Sequence, residues 1–267
     1  MLTLILACVL TALYAGLGAA PGLVSGSIAD SLRQQVGGAR KVEVRVESAP
    51  PLHMLAGHID RLDIRMEDFK LEGVAIASAS LETAPFQLKM LDTIWSGRPQ
   101  LAAGADATGS VDIPEAGILA VLERPEIRSK LRGIPIQLPI FPGLPPIQRT
   151  VDVIPERVRI TSDRLGIEGR LEVSGSAWPV AVSVHPQLVA PDRLSVSQLE
   201  LSLAGRTFPV PSTLLQSLMP DATLDLRQLA ASGPAPATPG LTPDWSLVGF
   251  APGEGRLRLL ARLRVAP

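Results

Sequence analysis

The chain has 267 residues, with 25 basic against 26 acidic side chains and a formal net charge of −1. That length supports one large domain or two small ones. The balanced charge excludes the global field of a polyanion binder, and 3% aromatics exclude the stacking platforms of single-strand nucleic-acid binders. The 23 glycines and 25 prolines point to a turn-rich all-β or α+β chain rather than a helical bundle.

Met1 to Val24 contains no charged residue. Leu2 to Leu17 is long enough for a signal-peptide core, and the whole stretch is long enough to cross a bilayer. Gly18-Ala19-Ala20 offers small residues for a cleavage after Ala20, yet no basic residue precedes the apolar run. Residues 1–24 therefore read as a signal peptide or a membrane anchor, and export follows from either. Cys8 follows Ile-Leu-Ala in the manner of a lipoprotein box, but the residues after it stay apolar, against lipidation. As the lone cysteine it excludes an intramolecular disulfide, so stability rests on burial.

Ile28, Leu32 and Val36 recur at helical spacing, and Gly37-Gly38 ends that pattern as a C-cap does, giving a linking helix over 25–38. Val42, Val44 and Val46 alternate with charged residues and predict a first strand. The organising stretch is Pro50 to Glu82. It opens on an apolar turn (Leu52, Met54, Leu55), breaks at Gly57, and then alternates with Leu62, Ile64 and Met66 on one face. A turn expected around Phe69 to Gly73 precedes Val74 and Ile76, so the whole reads as a hairpin of an antiparallel sheet. Short strands are expected at Pro85 to Met90 and Ala107 to Ile113. Asp112 then looks like the cap of a helix with Pro114 in its first turn and Ile118, Leu119, Val121 and Leu122 buried. A second short helix is expected over Pro125 to Leu131.

Residues 132–156 are extended and proline-rich. Ile134, Ile136, Leu138 and Ile140 alternate, while Pro135 and Pro139 remove donors from one edge, which places the segment at a sheet margin. The tip Ile140 to Ile147 has no charge. It either folds back over the core or touches lipid, with Ile140, Phe141, Leu144 and Ile147 as the docking side chains. From Arg157 to Leu203 the pattern is a β meander, with a phase shift between Val196 and Leu199 that predicts a bulge. A helix is expected over Pro211 to Leu218, a flexible loop over 232–243, and a final strand over Arg256 to Val265. That strand sets Leu257, Leu259, Ala261, Leu263 and Val265 against Arg256, Arg258, Arg262 and Arg264. The arginine face reads as solvated, with a phosphate headgroup contact left open. Residues 39–267 form a single α+β domain on this reading.

Motifs for familiar chemistry do not emerge. The sequence has no Gly-x-Ser-x-Gly elbow, P-loop, dinucleotide glycine fingerprint or His-Glu-x-x-His. His53 and His58 lie near Asp60, but a spacing of five suits no common zinc helix. His185, before Pro186 at a strand end, reads as structural. Asp60, Asp63, Glu67, Asp68 and Glu72 are most simply a wet strand face. No metal, cofactor or catalysis is expected. The mean hydropathy is +0.26 and stays positive once residues 1–24 are set aside. That surplus needs a large core or a lipid-lined groove.

Pro51-Leu52-His53-Met54-Leu55-Ala56-Gly57-His58-Ile59-Asp60-Arg61-Leu62-Asp63-Ile64, set behind an apolar segment, a linking helix and a valine strand, resembles the LmeA-like phospholipid-binding family. Gly73-Val74-Ala75-Ile76, Ser80-Leu81-Glu82 and the late Phe208-Pro209-Val210-Pro211 fit the same pattern, although the proline-rich 132–156 departs from it. The resemblance implies a fold similar to tubular lipid-binding proteins: a curved antiparallel sheet packed on a few helices around an apolar groove. It also implies phospholipid or glycolipid acyl chains as ligand at the outer face of the cytoplasmic membrane. Candidate lipid-facing residues are Leu62, Ile64, Met66, Val74, Ile76, Ile136, Leu138, Leu201 and Leu203. The expected function is a non-catalytic, exported, membrane-tethered lipid-binding or lipid-transfer protein. The alternatives are a structural envelope protein that binds another protein through its apolar sheet face, and a hydrolase of lipid or glycan.

Overall fold

A computed structural model of the chain describes residues 29–30, 32–33, 38–50, 52–71, 73–89, 101–138, 147–173, 175–191, 193–203, 205–209, 223–225 and 243–265. The apolar stretch 1–24, residues 140–146 of the tip, the helix expected over 211–218 and residues 232–242 of the loop lie outside them; Ile147 and Pro243 each open a strand.

In chain order the first elements are β1 (Lys41–Glu47), α1 (Leu52–Leu55), β2 (His58–Ile59), β3 (Arg61–Leu71), β4 (Val74–Thr83), β5 (Phe86–Gln87) and β6 (Ala105–Pro114). Two short helices follow, α2 (Glu115–Leu122) and α3 (Pro125–Lys130). The remainder is β7 (Ile134–Leu138), β8 (Ile147–Ile160), β9 (Leu165–Val173), β10 (Ser176–Ala190), β11 (Arg193–Leu203), β12 (Arg206–Pro209), β13 (Thr223–Asp225), β14 (Pro243–Gly253) and β15 (Arg256–Val265). One six-stranded sheet runs β1-β3-β4-β6-β15-β14, and a second runs β12-β11-β10-β9-β8-β7 with β13 beside β11. β2 and β5 make a separate ribbon. The chain is thus a mostly antiparallel α+β fold.

The first sheet is closed over its core. Leu62, Ile64 and Met66 of β3, Leu81 of β4 and Leu263 of β15 are almost fully buried. They pack in one cluster with Leu32 of the early helical stretch, Met54 of α1, and Ile59 and Phe86 of the ribbon. Ala29 and Leu32, within the stretch expected as a linking helix, are thus core residues, and Gly38 has a left-handed φ of +69°.

Three boundaries differ from the sequence reading. β3 continues through Phe69 to Leu71, and β4 opens at Val74 just after Gly73, whose φ is +82°. Asp68 takes φ +48°, so the buried set passes from Leu62, Ile64 and Met66 to Phe69. Its partner strand changes phase as well, from Val74 and Ile76 to Ala79 and Leu81. Next, Asp112 caps nothing. It lies within β6, Pro114 occupies the N-cap of α2, and the cap has no side-chain hydrogen bond. Finally, β8 begins ten residues before Arg157, because a bulge between Pro155 and Arg157 absorbs the proline.

α2 joins the two sheets. Its sequence, EAGILAVL, is apolar nearly all round, as suits a helix covered on opposite sides. Val121 packs against the first core, while Ile118, Leu119 and Leu122 pack with Val158, Ile160 and Leu257 in a second. Gly117 makes the approach possible, since a Cβ there would lie 2.3 Å from the Ala75 carbonyl oxygen. At the corner, the Ile160 N–H donates to Glu115 Oε1 at 2.8 Å, and the Gly255 N–H donates to the Ile160 carbonyl at 2.9 Å.

Candidate functional site: the apolar face of the second sheet

Residues directly paired across antiparallel strands share a face. In the second sheet this rule aligns Val158, Ile167, Val182 and Leu201 in one row, and Ile160, Leu165, Val184 and Leu199 in the next. Toward the other end follow Gly169, Val180 and Leu203, then Val153, Leu171 and Trp178. The register shifts between Val184 and Pro186, opposite the Val196–Leu199 stretch whose phase shift predicts a bulge. From Trp178 to Val184 the face is about 20 Å long, and four strands make it about 14 Å wide.

The opposite face is polar and carries its own ion pairs. Arg159 reaches Glu168 at 2.9 Å and Arg164 reaches Glu200 at 3.1 Å. At the Ile160 end, His185 Nε2 meets Asp163 Oδ2 at 3.0 Å. That contact, more than the neighbouring Thr161 hydroxyl, holds the Asp163 carboxyl below the usual carboxylate range. Period-2 alternation thus separates a wet side from an apolar one.

Burial distinguishes the two sheets. Val151, Val158 and Ile160 on β8 are buried, the last two under α2. On β9, β10 and β11 the same apolar face is only half-buried: Ile167, Leu171, Val180, Val182, Val184, Leu199, Leu201 and Leu203 all keep solvent contact. A face with protein packed over it would read like the first sheet. Among the described residues, Val180, Val182, Val184, Leu199, Leu201 and Leu203 join neither buried cluster, and they leave a partly exposed apolar surface able to accept an apolar ligand.

The candidate residues divide between the sheets. Leu62, Ile64, Met66, Val74 and Ile76 are core residues of the first sheet, 1–8% exposed and packed on protein. Leu201 and Leu203 lie on the half-buried face of the second. Ile136 and Leu138 belong to β7, which among the described strands pairs only with β8 and lies at the sheet margin that Pro135 predicts. Their side chains and that of Ile147 lie outside the described residues, as do Ile140, Phe141 and Leu144 altogether. Leu138 pairs with Ile147 beyond the β9–β10 turn, so β7 and β8 run out at that end of the sheet. The reading from sequence did not single out Ile167, Val182 and Leu199 as site residues. Their alternation was visible, but not their partial exposure.

Other described features differ from this face. A crevice lined by Leu62, Thr83, Phe86, Leu101, Ala105, Ala107 and Val265 has free space for about one water molecule, too little for an acyl chain. His53 and His58 stand edge to face at 6.0 Å, and His58 Nε2 lies 3.1 Å from Asp60. No group of three metal-ligating side chains occurs among the described residues.

On the first sheet's outer face, Arg258 holds Asp112 through two hydrogen bonds of 2.7 and 2.9 Å, and the Ser78 hydroxyl donates to Asp112 at 2.9 Å. The Arg258 guanidinium holds the Asp112 carboxyl below the usual range, against the opposing effect of burial. Arg264 pairs with Asp106 at 3.0 Å. Two of the four arginines of β15 are therefore bound to carboxylates within the sheet.

The fold and this face together define an α+β protein of antiparallel sheets whose second sheet carries a partly exposed apolar face. The chain belongs to the LmeA-like phospholipid-binding family, whose model matches residues 15–240. No curated protein and no solved structure matches the chain significantly.

Proposed function

We propose that the protein is a non-catalytic phospholipid carrier that takes acyl chains onto the apolar face of its second sheet. The observation that carries this reading is the half-buried surface of β9, β10 and β11 in a member of a phospholipid-binding family. Each methylene moved from water onto that face contributes up to about 0.8 kcal/mol. The face offers no polar side chain between Leu199 and Leu203, so chain length and unsaturation set the affinity more than the headgroup does. In this proposal residues 1–24 deliver the domain to the extracytoplasmic side of the cytoplasmic membrane and tether it there, where transfer of lipid to or from the bilayer takes place.

The test is native mass spectrometry of the full-length protein released from its own membrane in mild detergent. The expected spectrum contains increments of phospholipid mass. Val182→Asp and Leu201→Asp place a carboxylate among the rows and should remove those increments while the protein stays folded. Wild-type protein without lipid, or both variants with lipid retained, would overturn the reading. A co-purified polypeptide in place of lipid would favour the structural envelope protein instead.

A further inference from the structure

We propose that the end of the second sheet formed by the β9–β10 and β11–β12 turns is the edge that docks on a phospholipid bilayer, with Trp178 as its interfacial anchor and Arg206 as its phosphate contact. The inference rests on the acyl-chain site proposed above, because it identifies the end of that face through which lipid passes.

The two ends of the sheet differ in chemistry. The β8–β9 and β10–β11 connections carry Asp163 and Arg164, and Asp192 and Arg193. Arg164 is tied to Glu200, and His185 to Asp163. This end also abuts the first sheet, through the Ile160 contacts to Glu115 and Gly255. The opposite end is free of that junction. Its turns read Val173-Ser174-Gly175-Ser176 and Leu203-Ala204-Gly205-Arg206, with a single charge between them.

Trp178 stands at this free end, 48% exposed, on the apolar face beside Leu171. An indole half in water at the rim of an apolar surface is the arrangement that membrane interfaces favour, since the ring is apolar and its N–H still finds a polar partner. Arg206 pairs with Leu203 across the turn and so projects from the same face, exposed. Its guanidinium has no acidic partner among the described residues, unlike Arg164 and Arg170 on this sheet. A guanidinium on the same face, two strands from an interfacial tryptophan, matches a phosphate in the headgroup layer. The charged end could not enter that layer without desolvating its carboxylates.

The experiment uses the full chain with Cys8→Ser and one introduced cysteine, either Ser176→Cys at the free end or Ser162→Cys at the charged end. Each is labelled with an environment-sensitive fluorophore and reconstituted into vesicles of phosphatidylcholine and phosphatidylglycerol. The label at 176 should shift to the blue and be quenched by lipid brominated in its acyl chains; the label at 162 should do neither. Trp178→Ser with Arg206→Glu should abolish the shift at 176, and circular dichroism confirms that this largely surface change leaves the fold intact. Phospholipid co-purified with each protein is scored in parallel. Lipid retained while position 176 stays in water overturns the docking edge and leaves the acyl-chain site standing. Insertion at 176 without co-purified lipid supports the edge and overturns the site. Insertion at 162, or insertion at 176 that survives the double substitution, overturns the assignment to Trp178 and Arg206.

Discussion

Gly117→Ala is the most direct probe of how the two sheets are held together. In a helix with open surroundings, replacing glycine by alanine stabilises by about 0.5–1 kcal/mol. Here the added Cβ would lie 2.3 Å from the Ala75 carbonyl oxygen and 2.9 Å from Ile113 Cγ2. The first obstacle is backbone, in a strand whose register with β3 is fixed at Lys70 and Ala75. It cannot rotate away as a side-chain end does, so α2 must lift. Lifting loosens Val121 on one core and Ile118 and Leu122 on the other. Overpacking of this kind costs about 1–3 kcal/mol, which outweighs the propensity gain and leaves a net loss of about 1–2 kcal/mol. Thermal unfolding should fall by about 2–4 °C for each kcal/mol lost. Exposed Ala116 supplies the control: Ala116→Gly should destabilise by about 0.5–1 kcal/mol from propensity alone. The measurement is urea unfolding followed by circular dichroism. A Gly117→Ala protein as stable as the wild type, or more so, would refute the close approach of α2 to β4.

Ile64→Ala should cost about 2–5 kcal/mol as a core cavity, whereas half-exposed Leu201→Ala should cost only about 1 kcal/mol yet reduce bound lipid; urea unfolding and native mass spectrometry on both variants separate the roles. Asp112 has a lowered carboxyl pKa, so its contribution is present above the unfolded value near 4 and is lost as pH falls through the folded one. Asp112→Asn should therefore flatten the acid limb of the stability–pH curve, at a cost near neutral pH of about 1 kcal/mol because Arg258 is largely exposed. Glu115→Ala leaves the buried Ile160 N–H without its acceptor and should destabilise by about 1–3 kcal/mol. Glu115→Gln keeps an acceptor oxygen there and should recover most of that loss in the same unfolding assay.

Where local pattern and long-range packing agree, the sequence is a good guide. β1, the β3–β4 hairpin, the meander and β15 all follow from period-2 alternation, and the Val196–Leu199 phase shift marks a real bulge. The misreadings have physical causes. Asp68 turns the pleat without ending the strand, so Phe69 looks like a turn residue although it is buried. Asp112-Ile113-Pro114 has the chemistry of a helix start, but Asp112 is held instead by Arg258, 146 residues away. β14 escaped notice because Pro243, Gly249 and Gly253 interrupt its pattern; Gly249 is small because Leu260 packs over it. The candidate site was half legible for a deeper reason. Alternation shows that a strand has an apolar face, and both sheets alternate alike. Only the packing of residues 29–33, α1 and the β2–β5 ribbon over the first sheet shows which face is already filled.

The place of β15 between β6 and β14 has a consequence for the order of folding. Successive hairpins build the second sheet from β7 to β12, so its pairings close short loops and form early. In the first sheet β1, β3, β4 and β6 also pair locally, but the β15 strand must wait. β6 pairs with β15 across the whole intervening second sheet, and that loop has to be closed before the contact is rewarded. Until residues 256–265 arrive, β6 presents an open edge and Asp112 a carboxylate without its guanidinium. The closure of the first sheet is thus the late step, made by a strand of leucines and arginines.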